Sequence, residues 1–147
     1  MKKAVNWCER CSSLKYKVKI LRASGADIIS MSLGGGLFPG TCDFDFLAAR
    51  SNNAVDQGVT VFAASGNSGS TTHMASPACG SKVISVGAVD KSDVRAPYSN
   101  GNSQLDIVAP GTGIISVALG GGFISLSGTS MATPHASGTA ALVLQTD

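Results

Sequence analysis

A chain of 147 residues has the length of one domain or of part of a larger one, so a second full domain is excluded. Hydrophobic residues make up 44% and charged residues only 14%, which excludes extended disorder, and the 18 glycines follow no regular period, which excludes collagen. The net charge is +2, and basic residues form no run beyond residues 1–3 and 15–19. No stretch reaches the ~18 consecutive apolar residues that a membrane span needs. Neither a nucleic-acid partner nor a membrane partner is therefore predicted.

The first predicted elements are a helix and a strand. Apolar residues recur every three or four positions over residues 4–14, which predicts an amphipathic helix. Residues 27–33 are predicted to form a strand that ends at the glycines of residues 34–36. Residues 18–21 resemble a further strand placed ahead of it.

A second helix is predicted over residues 45–57. Asp43 is a candidate N-cap, and Gly58 stands at the position that ends a helix. Residues 59–64 then form a continuous apolar run, which is typical of a strand covered on both faces. Strand, helix and strand in this order predict a parallel, right-handed unit.

The remaining elements are two strands, a hairpin and a helix. Residues 83–89 and 105–109 are predicted strands, and residues 113–117 and 123–127 are predicted to pair as a hairpin around three glycines. Residues 130–145 are apolar nearly all round, which predicts a buried helix. Together the elements predict an α/β fold of three layers, in which a mostly parallel sheet carries helices on both faces.

Ser130 is a candidate nucleophile. In parallel sheets ligands bind beyond the carboxyl ends of the strands, and the segments after Leu33, Ala64 and Ser127 are all rich in glycine. Ser130 opens the last predicted helix, whose field lowers the cost of negative charge, and Gly128 allows a substrate backbone to come close. The alternative from position alone is that Ser130 only caps the helix.

The sequence Gly-Thr-Ser-Met-Ala-Thr-Pro-His at residues 128–135 resembles the nucleophile motif of the subtilases, the subtilisin-like serine peptidases. Four further segments resemble other landmarks of this family, in its order and at its approximate spacing. They are Ser-Leu-Gly-Gly at 32–35, Ala-Ala-Ser-Gly-Asn at 63–67, Val-Gly-Ala-Val-Asp at 86–90 and Ala-Pro-Gly at 109–111. The resemblance covers about residues 25–145, is strongest to the proteinase K branch in its last part, and implies a subtilisin-like fold.

This resemblance implies a serine endopeptidase that acts on polypeptide substrates. Ser130 would attack the peptide carbonyl, and the side-chain amide of Asn67 with the backbone N–H of Ser130 would stabilise the oxyanion. Without the resemblance, Asn67 would be read as an ordinary loop asparagine. The residues implied in substrate binding are Ser32, Leu33 and Gly34, through main-chain pairing, and Ala64, Ser65 and Gly66, on the opposite wall of the primary specificity pocket. The small side chains of that wall imply room for large apolar groups and broad specificity.

The resemblance also implies a structural calcium ion, although the chemistry requires no cofactor. Ser76–Pro77 matches a family position that is commonly a cis proline beside a calcium site. The ligands would be the backbone oxygens of Pro77 and Cys79 and the carboxylate of Asp90, which are the hard oxygen donors that calcium prefers.

The four cysteines bear on the cellular compartment. Cys8, Cys11, Cys42 and Cys79 allow three pairings, and an extracellular enzyme would use them as disulfides. Cys8 and Cys11 also form a C-x-x-C, which leaves a redox or zinc site as an alternative, but no second ligand pair follows at zinc spacing. The resemblance favours a secreted enzyme, while no signal peptide is recognisable because no apolar segment follows the N-terminal lysines.

Ser130 has no evident general base in the sequence. The two histidines are His73 and His135, and neither is expected to act as the base, because the family's aspartate and histidine motifs would precede every segment matched here. Residues 1–147 are therefore expected to form part of a peptidase domain, incomplete at both ends and inactive alone, which pairs with a missing N-terminal half or a complementary chain. The competing hypotheses are a non-catalytic peptide-binding remnant and a nucleotide site at residues 111–113, which lacks the third glycine and the P-loop lysine.

Overall fold

The computed structural model describes residues 3–6 and 25–146. The helices and strands in these ranges are β1 (Lys3–Asn6), β2 (Ala26–Met31), β3 (Gly35–Phe38), α1 (Phe46–Val55), β4 (Thr60–Ala64), β5 (Met74–Ser76), β6 (Ile84–Val89), β7 (Ile107–Pro110), β8 (Ile114–Val117), β9 (Phe123–Leu126) and α2 (Thr129–Val143). The predicted strand at residues 18–21 lies outside the described residues.

Five strands form one parallel sheet in the order β1-β2-β4-β6-β7. Neighbouring residues of a strand face opposite sides of this sheet, so Ile29 and Val61 pack in one apolar cluster with α1, whereas Ile28 and Phe62 pack in another with Ala132 of α2. Because β4 is buried on both faces, the segment that contains it, residues 59–64, reads as an apolar run. The predicted three-layer α/β fold is thereby confirmed.

The helix predicted over residues 4–14 is wrong where the structure describes that segment. Residues 3–6 form β1, whose backbone pairs with β2 in parallel register, Ala4 opposite Ile28 and Asn6 opposite Ser30. Pairing with a strand from a distant part of the chain overrides a short helical spacing of apolar residues. Residues 7–14 lie outside the described residues.

Helix α1 is capped by Asp45. The Asp45 Oδ1 accepts hydrogen bonds from the backbone N–H of Leu47 at 2.9 Å and of Ala48 at 3.2 Å. The prediction that Asp43 caps this helix is wrong, because the Asp43 carboxylate accepts a hydrogen bond from the backbone N–H of Ser81 at 2.8 Å. The Asp43 side chain bonds to the segment around Ser81 and not to α1. The helix begins at Phe46, two residues later than a cap at Asp43 would require.

The Asp45 carboxylate is held in its charged form by its donors. Burial raises its pKa, but the hydroxyl of Ser76 and the backbone N–H groups of Ala48 and Leu47 together outweigh burial, so the pKa lies below its usual range. A negative charge at this position also interacts favourably with the positive end of the helix.

Replacing Asp45 by alanine is expected to lower the free energy of unfolding by about 1–2 kcal/mol, because two N–H groups of α1 lose their acceptor. Asp56→Ala is a suitable control, because the Asp56 side chain pairs with Lys82 at the surface, and such pairs contribute less than about 1 kcal/mol. Urea denaturation of both variants measures the difference. Equal losses in the two variants would contradict the capping role of Asp45.

The hairpin predicted for the second half of the chain is confirmed. Strands β8 and β9 pair antiparallel, with Ile114 opposite Leu126 and Val117 opposite Phe123. Most of its apolar side chains remain exposed, among them Phe123 at 79% and Val117 at 76%. The described residues therefore leave this ribbon without an apolar cover.

The prediction that the last helix is buried is wrong for one of its faces, where His135, Gly138 and Thr139 are exposed, and for its C-terminal turn. Leu142 and Val143 of α2 are 65% and 58% exposed. Its buried residues are Thr129, Ala132, Thr133 and Ser137. A helix contacts a sheet through one face only, and its other face needs a further layer, which the described residues do not supply. No helix in residues 25–146 is long and apolar enough to cross a membrane.

A disulfide joins Cys42 to Cys79, with a Cα–Cα distance of 5.4 Å. Both residues are buried, and the N–H of Cys42 also donates to the backbone oxygen of Cys79 at 2.9 Å. The disulfide ties the segment before α1 to the segment between β5 and β6. Of the three pairings that four cysteines allow, the structure selects the one that contains the Cys42–Cys79 bond. Cys8 and Cys11 lie outside the described residues.

Candidate active site

Ser130 lies in the first turn of α2. Gly128 is the N-cap, with an extended backbone at φ 162°, and no side chain caps the helix, so Ser130 is not the cap. The Ser130 hydroxyl donates a hydrogen bond to the backbone oxygen of Ser32 at 3.3 Å, and the Ser32 hydroxyl donates to the backbone oxygen of Ser130 at 2.7 Å. This reciprocal pair joins the start of α2 to the segment after β2 and places Ser130 at the carboxyl edge of the sheet.

Asn67 lies against the same turn of α2, three residues after β4. Its Oδ1 accepts hydrogen bonds from the backbone N–H of Thr129 at 2.8 Å and from the Thr129 hydroxyl at 2.9 Å. Because Oδ1 is held in this way, Nδ2 is directed away from Thr129. Nδ2 lies close to Gly128, since a Cβ atom placed on that glycine would be 3.5 Å from Nδ2. Asn67 is thus more than an ordinary loop asparagine: its amide donor is fixed beside the N-terminal end of the helix.

A cleft of about 290 Å³ is lined by both Ser130 and Asn67. The described residues bring no charged side chain to its walls, where six of the residues predicted for the site meet. These six are Leu33, Gly34, Ala64, Gly66, Asn67 and Ser130. A cleft of this kind suits an uncharged extended chain, and the helix end on its wall favours a negative charge that develops during a reaction.

The chain belongs to a known family. The model of the subtilase family matches residues 2–147. This protein is a subtilase. The subtilisin of Bacillus pumilus is 39% identical over 154 aligned residues, covering 90% of this chain and 54% of that protein. Proteinase R of Parengyodontium album is 44% identical over 117 residues, covering 80% of this chain and 29% of that protein. Among solved structures, the prenylagaramide maturation protease PagA is 34% identical with a TM-score of 0.81, covering 90% of this chain and 48% of that one.

These comparisons confirm the family and the subtilisin-like fold predicted from the motifs. The placement in the proteinase K branch stays a prediction. The chain spans about half the length, or less, of the relatives that it matches.

Two residues predicted to bind substrate do not line the cleft of this subtilase. Ser32 instead bonds to Ser130, as described above. Ser65 is wholly buried, where its hydroxyl donates to the backbone oxygen of Asn100 at 2.7 Å and its N–H donates to the backbone oxygen of Val86 at 3.0 Å. Ser65 therefore supports the wall from behind, because both groups are engaged inside the protein.

Neither histidine of the chain is hydrogen-bonded to Ser130. The Nδ1 atom of His73 bonds to the hydroxyl of Thr72 at 2.8 Å, and the Nδ1 atom of His135 bonds to the backbone oxygen of Met131 at 2.8 Å. The ring of His135 lies at the exposed surface of α2. The residues that the structure describes thus place no imidazole at hydrogen-bond distance from the nucleophile candidate.

The calcium site predicted from the sequence stays a prediction. The backbone oxygens of Pro77 and Cys79 accept N–H groups of Gly80 and Cys42 at 2.9 Å each. The Asp90 carboxylate accepts the N–H groups of Ser92 at 2.8 Å and of Val94 at 3.1 Å. No group of three His, Cys, Asp or Glu side chains within the described ranges could hold a metal ion. Ser76–Pro77 is a cis peptide, as predicted.

Two residues that the sequence analysis missed organise the site. Thr129 is buried, and its hydroxyl accepts a hydrogen bond from the N–H of Gly66 at 3.2 Å. Asn100 is also buried, and its Oδ1 accepts hydrogen bonds from the N–H groups of Ser68 at 2.9 Å and Ser70 at 3.0 Å. Thr129 belongs to the nucleophile motif, so the sequence could have indicated that it lies at the site. Asn100 is 32 residues from Ser68, and no sequence pattern indicates that the two are bonded.

Proposed function

We propose that this chain carries the nucleophile and the oxyanion hole of a serine endopeptidase. The observation that supports this proposal is the meeting of Ser130 and Asn67 at the first turn of α2, on the wall of one cleft. A helix N-terminus, an anchored amide donor and a hydroxyl are the groups that acyl transfer needs at one place.

In the proposed reaction, the Ser130 hydroxyl oxygen attacks the carbonyl carbon of a peptide in the cleft. The carbonyl oxygen then becomes negatively charged and accepts hydrogen bonds from the Asn67 Nδ2 and the Ser130 backbone N–H. When this intermediate collapses, the C–N bond breaks and the nitrogen takes the proton that the general base removed from Ser130. The amine half leaves, and the acyl group stays on Ser130 until water removes it.

The proton of Ser130 must pass to a general base. His73 and His135 are bonded elsewhere, so we place the base and the acid that orients it in a part of the peptidase domain outside the described residues. Residues 1–147 then form a partial peptidase domain that is inactive alone. The short span relative to the family members supports this view.

Polypeptides are the proposed substrates. Leu33 and Gly34 follow β2 and lie outside any strand, so their main chain can pair with an extended peptide. Ala64 and Gly66 form the facing wall, where small side chains leave room for a large apolar group. The proposed specificity is therefore broad, with a preference for large apolar side chains.

The partner proposed for this chain is the missing N-terminal half of the domain, or a separate chain that replaces it. Exposed apolar side chains support a partner, because a free protein rarely exposes so many together. They occur in the hairpin and at the end of α2, at Ile115, Val117, Leu119, Phe123, Leu142 and Val143.

The proposed location is outside the cell. The buried Cys42–Cys79 disulfide supports it, because disulfides persist in oxidising compartments. The proposed chemistry uses side chains and backbone groups only and needs no cofactor.

A fluorophosphonate probe with added imidazole tests the proposed function. The probe reacts with activated serines, and imidazole in solution can supply the base that Ser130 lacks. We expect imidazole-dependent labelling that is lost in Ser130→Ala and retained in Ser68→Ala, which changes another serine on the cleft wall. Mass spectrometry of the labelled peptide locates the adduct.

Other outcomes would overturn parts of the proposal. Labelling of Ser130 without imidazole would show that the chain contains its own base. No labelling of the folded protein in imidazole, together with binding of an extended apolar peptide, would favour a non-catalytic peptide-binding protein. That second candidate is favoured by one observation, the Ser130 hydroxyl bonded to a carbonyl oxygen rather than to a base.

A further inference from the structure

The turn that carries Asn67, residues 65–70, is held from behind by the segment before β7. The N–H of Gly69 donates to the backbone oxygen of Tyr98 at 2.7 Å, and the N–H of Asn100 donates to the backbone oxygen of Gly66 at 2.9 Å. These backbone bonds fix positions on either side of Asn67. They do not reach Ser68, the residue that follows it.

The side chain of Asn100 supplies the missing support. It is fully buried, and its Oδ1 accepts the N–H groups of both Ser68 and Ser70. One carbonyl oxygen thereby closes the turn immediately after Asn67. In the described part of the chain, the N–H of Ser68 has no other acceptor.

The other end of the same amide is unusual. The Asn100 Nδ2 is buried and has no hydrogen-bond partner among the described residues. It lies so close to Gly66 that a Cβ at that position would collide with it. Burying an N–H donor without a hydrogen-bond partner lowers the stability of the fold. A residue that does so is therefore expected to have a role that offsets this loss.

We propose that Asn100 is a positioning residue for the oxyanion hole. Thr129 holds the Asn67 carbonyl oxygen, and Asn100 holds the backbone on the far side of Asn67, so the direction of the Asn67 Nδ2 is set from two sides. A donor that stabilises a developing charge must be held in place before the reaction, and this support does so. The inference rests on the proposed role of Asn67.

Asn100→Ala and Asn100→Asp test this role, with Asn102→Ala as the matched control. Asp keeps an oxygen that can accept the Ser68 and Ser70 N–H groups, whereas Ala removes it. Asn102 is a neighbouring asparagine whose Oδ1 bonds to Gln104 instead. The first readout is nuclear magnetic resonance: amide exchange at Ser68 and Ser70, and the Nδ2 proton signals of Asn67. The second is the imidazole-dependent labelling rate of Ser130 at saturating probe.

In Asn100→Ala we expect amide exchange at Ser68 and Ser70 to accelerate about tenfold or more, since each loses its acceptor. The Asn67 Nδ2 signals should shift, and the saturated labelling rate should fall about tenfold with the probe's apparent affinity unchanged. Asn100→Asp should keep both amides protected, and Asn102→Ala should match the parent in every readout.

Unchanged Asn67 signals in folded Asn100→Ala would overturn the proposal and leave Asn100 with a purely structural role. If the alanine variant does not fold, Asn100→Asp decides, because loss of protection at Ser68 and Ser70 there would equally overturn it. The resonance readout does not depend on labelling. A parent protein that is never labelled would therefore count against the proposed function and not against the support of Asn67 by Asn100.

Discussion

Replacing Asn67 by alanine is expected to slow the imidazole-dependent labelling of Ser130 by about a hundredfold to a thousandfold, the loss typical of one oxyanion-hole donor. The anionic oxygen that forms at the probe's phosphorus then keeps only the Ser130 backbone N–H as a donor. The substitution also removes the acceptor of the Thr129 N–H and hydroxyl. Rate measurements at saturating probe isolate the chemical step from binding.

Asn67→Asp separates the two roles of this side chain, in which Oδ1 accepts from Thr129 and Nδ2 donates to the oxyanion. The aspartate keeps an oxygen for Thr129 but replaces the Nδ2 donor by a second oxygen and adds a negative charge. We therefore expect it to be at least as slow as Asn67→Ala. Asn53→Ala, on the exposed side of α1, is the control and should react at the parent rate. A loss below about threefold in Asn67→Ala would contradict a role of Asn67 in the oxyanion hole.

Removing the disulfide by the paired substitution Cys42→Ala and Cys79→Ala is expected to lower the free energy of unfolding by about 3–4 kcal/mol. The two cysteines are 37 residues apart, so the bond restricts a long loop of the unfolded chain. That loop contains α1, β4 and the turn with Asn67. The midpoint of thermal unfolding should fall by about 10 °C or more.

Thermal unfolding with and without a reductant provides the control for this prediction. The parent protein should lose stability in the reductant, whereas the paired variant should not respond. The variant still contains Cys8 and Cys11, so it also reports any effect of reducing those residues. Equal midpoints of the parent and the variant without reductant would contradict a stabilising role of this disulfide.

The strands of the sheet could be predicted because their burial leaves a local pattern. The apolar runs over residues 59–64 and 83–89 contain β4 and β6, which have neighbours on both faces of the sheet. Gly58 after α1 has a φ of 86°, a left-handed conformation that glycine adopts without strain, so it also marked a real boundary. The cap was less predictable, because Asp43 and Asp45 are the same residue type just before the helix, and only the structure shows that Asp43 bonds to the distant Ser81 while Asp45 bonds to Leu47 in the helix.

The candidate site was predictable to the extent that it lies in short motifs. Ser130 and Asn67 were named from their sequence contexts. The fold brings them to one cleft because Asn67 follows the carboxyl end of β4, and Ser130 is hydrogen-bonded to Ser32, which follows the carboxyl end of β2. Ser65 stands in the same motif as Asn67, yet the structure turns its hydroxyl toward Asn100. Spacing along the chain identifies a segment of the wall without showing which side chains face the cleft.

The sequence by itself determined the family, the positions of most buried strands along the chain and the identity of the candidate nucleophile, because each depends on short runs of neighbouring residues. Tertiary structure alone decided that residues 3–6 pair as a strand, that Cys42 joins Cys79, and that Asn100 supports the turn of Asn67. The physical reason is common to all three. Each depends on a bond between segments far apart in sequence, and no local pattern encodes which distant partner the fold will supply.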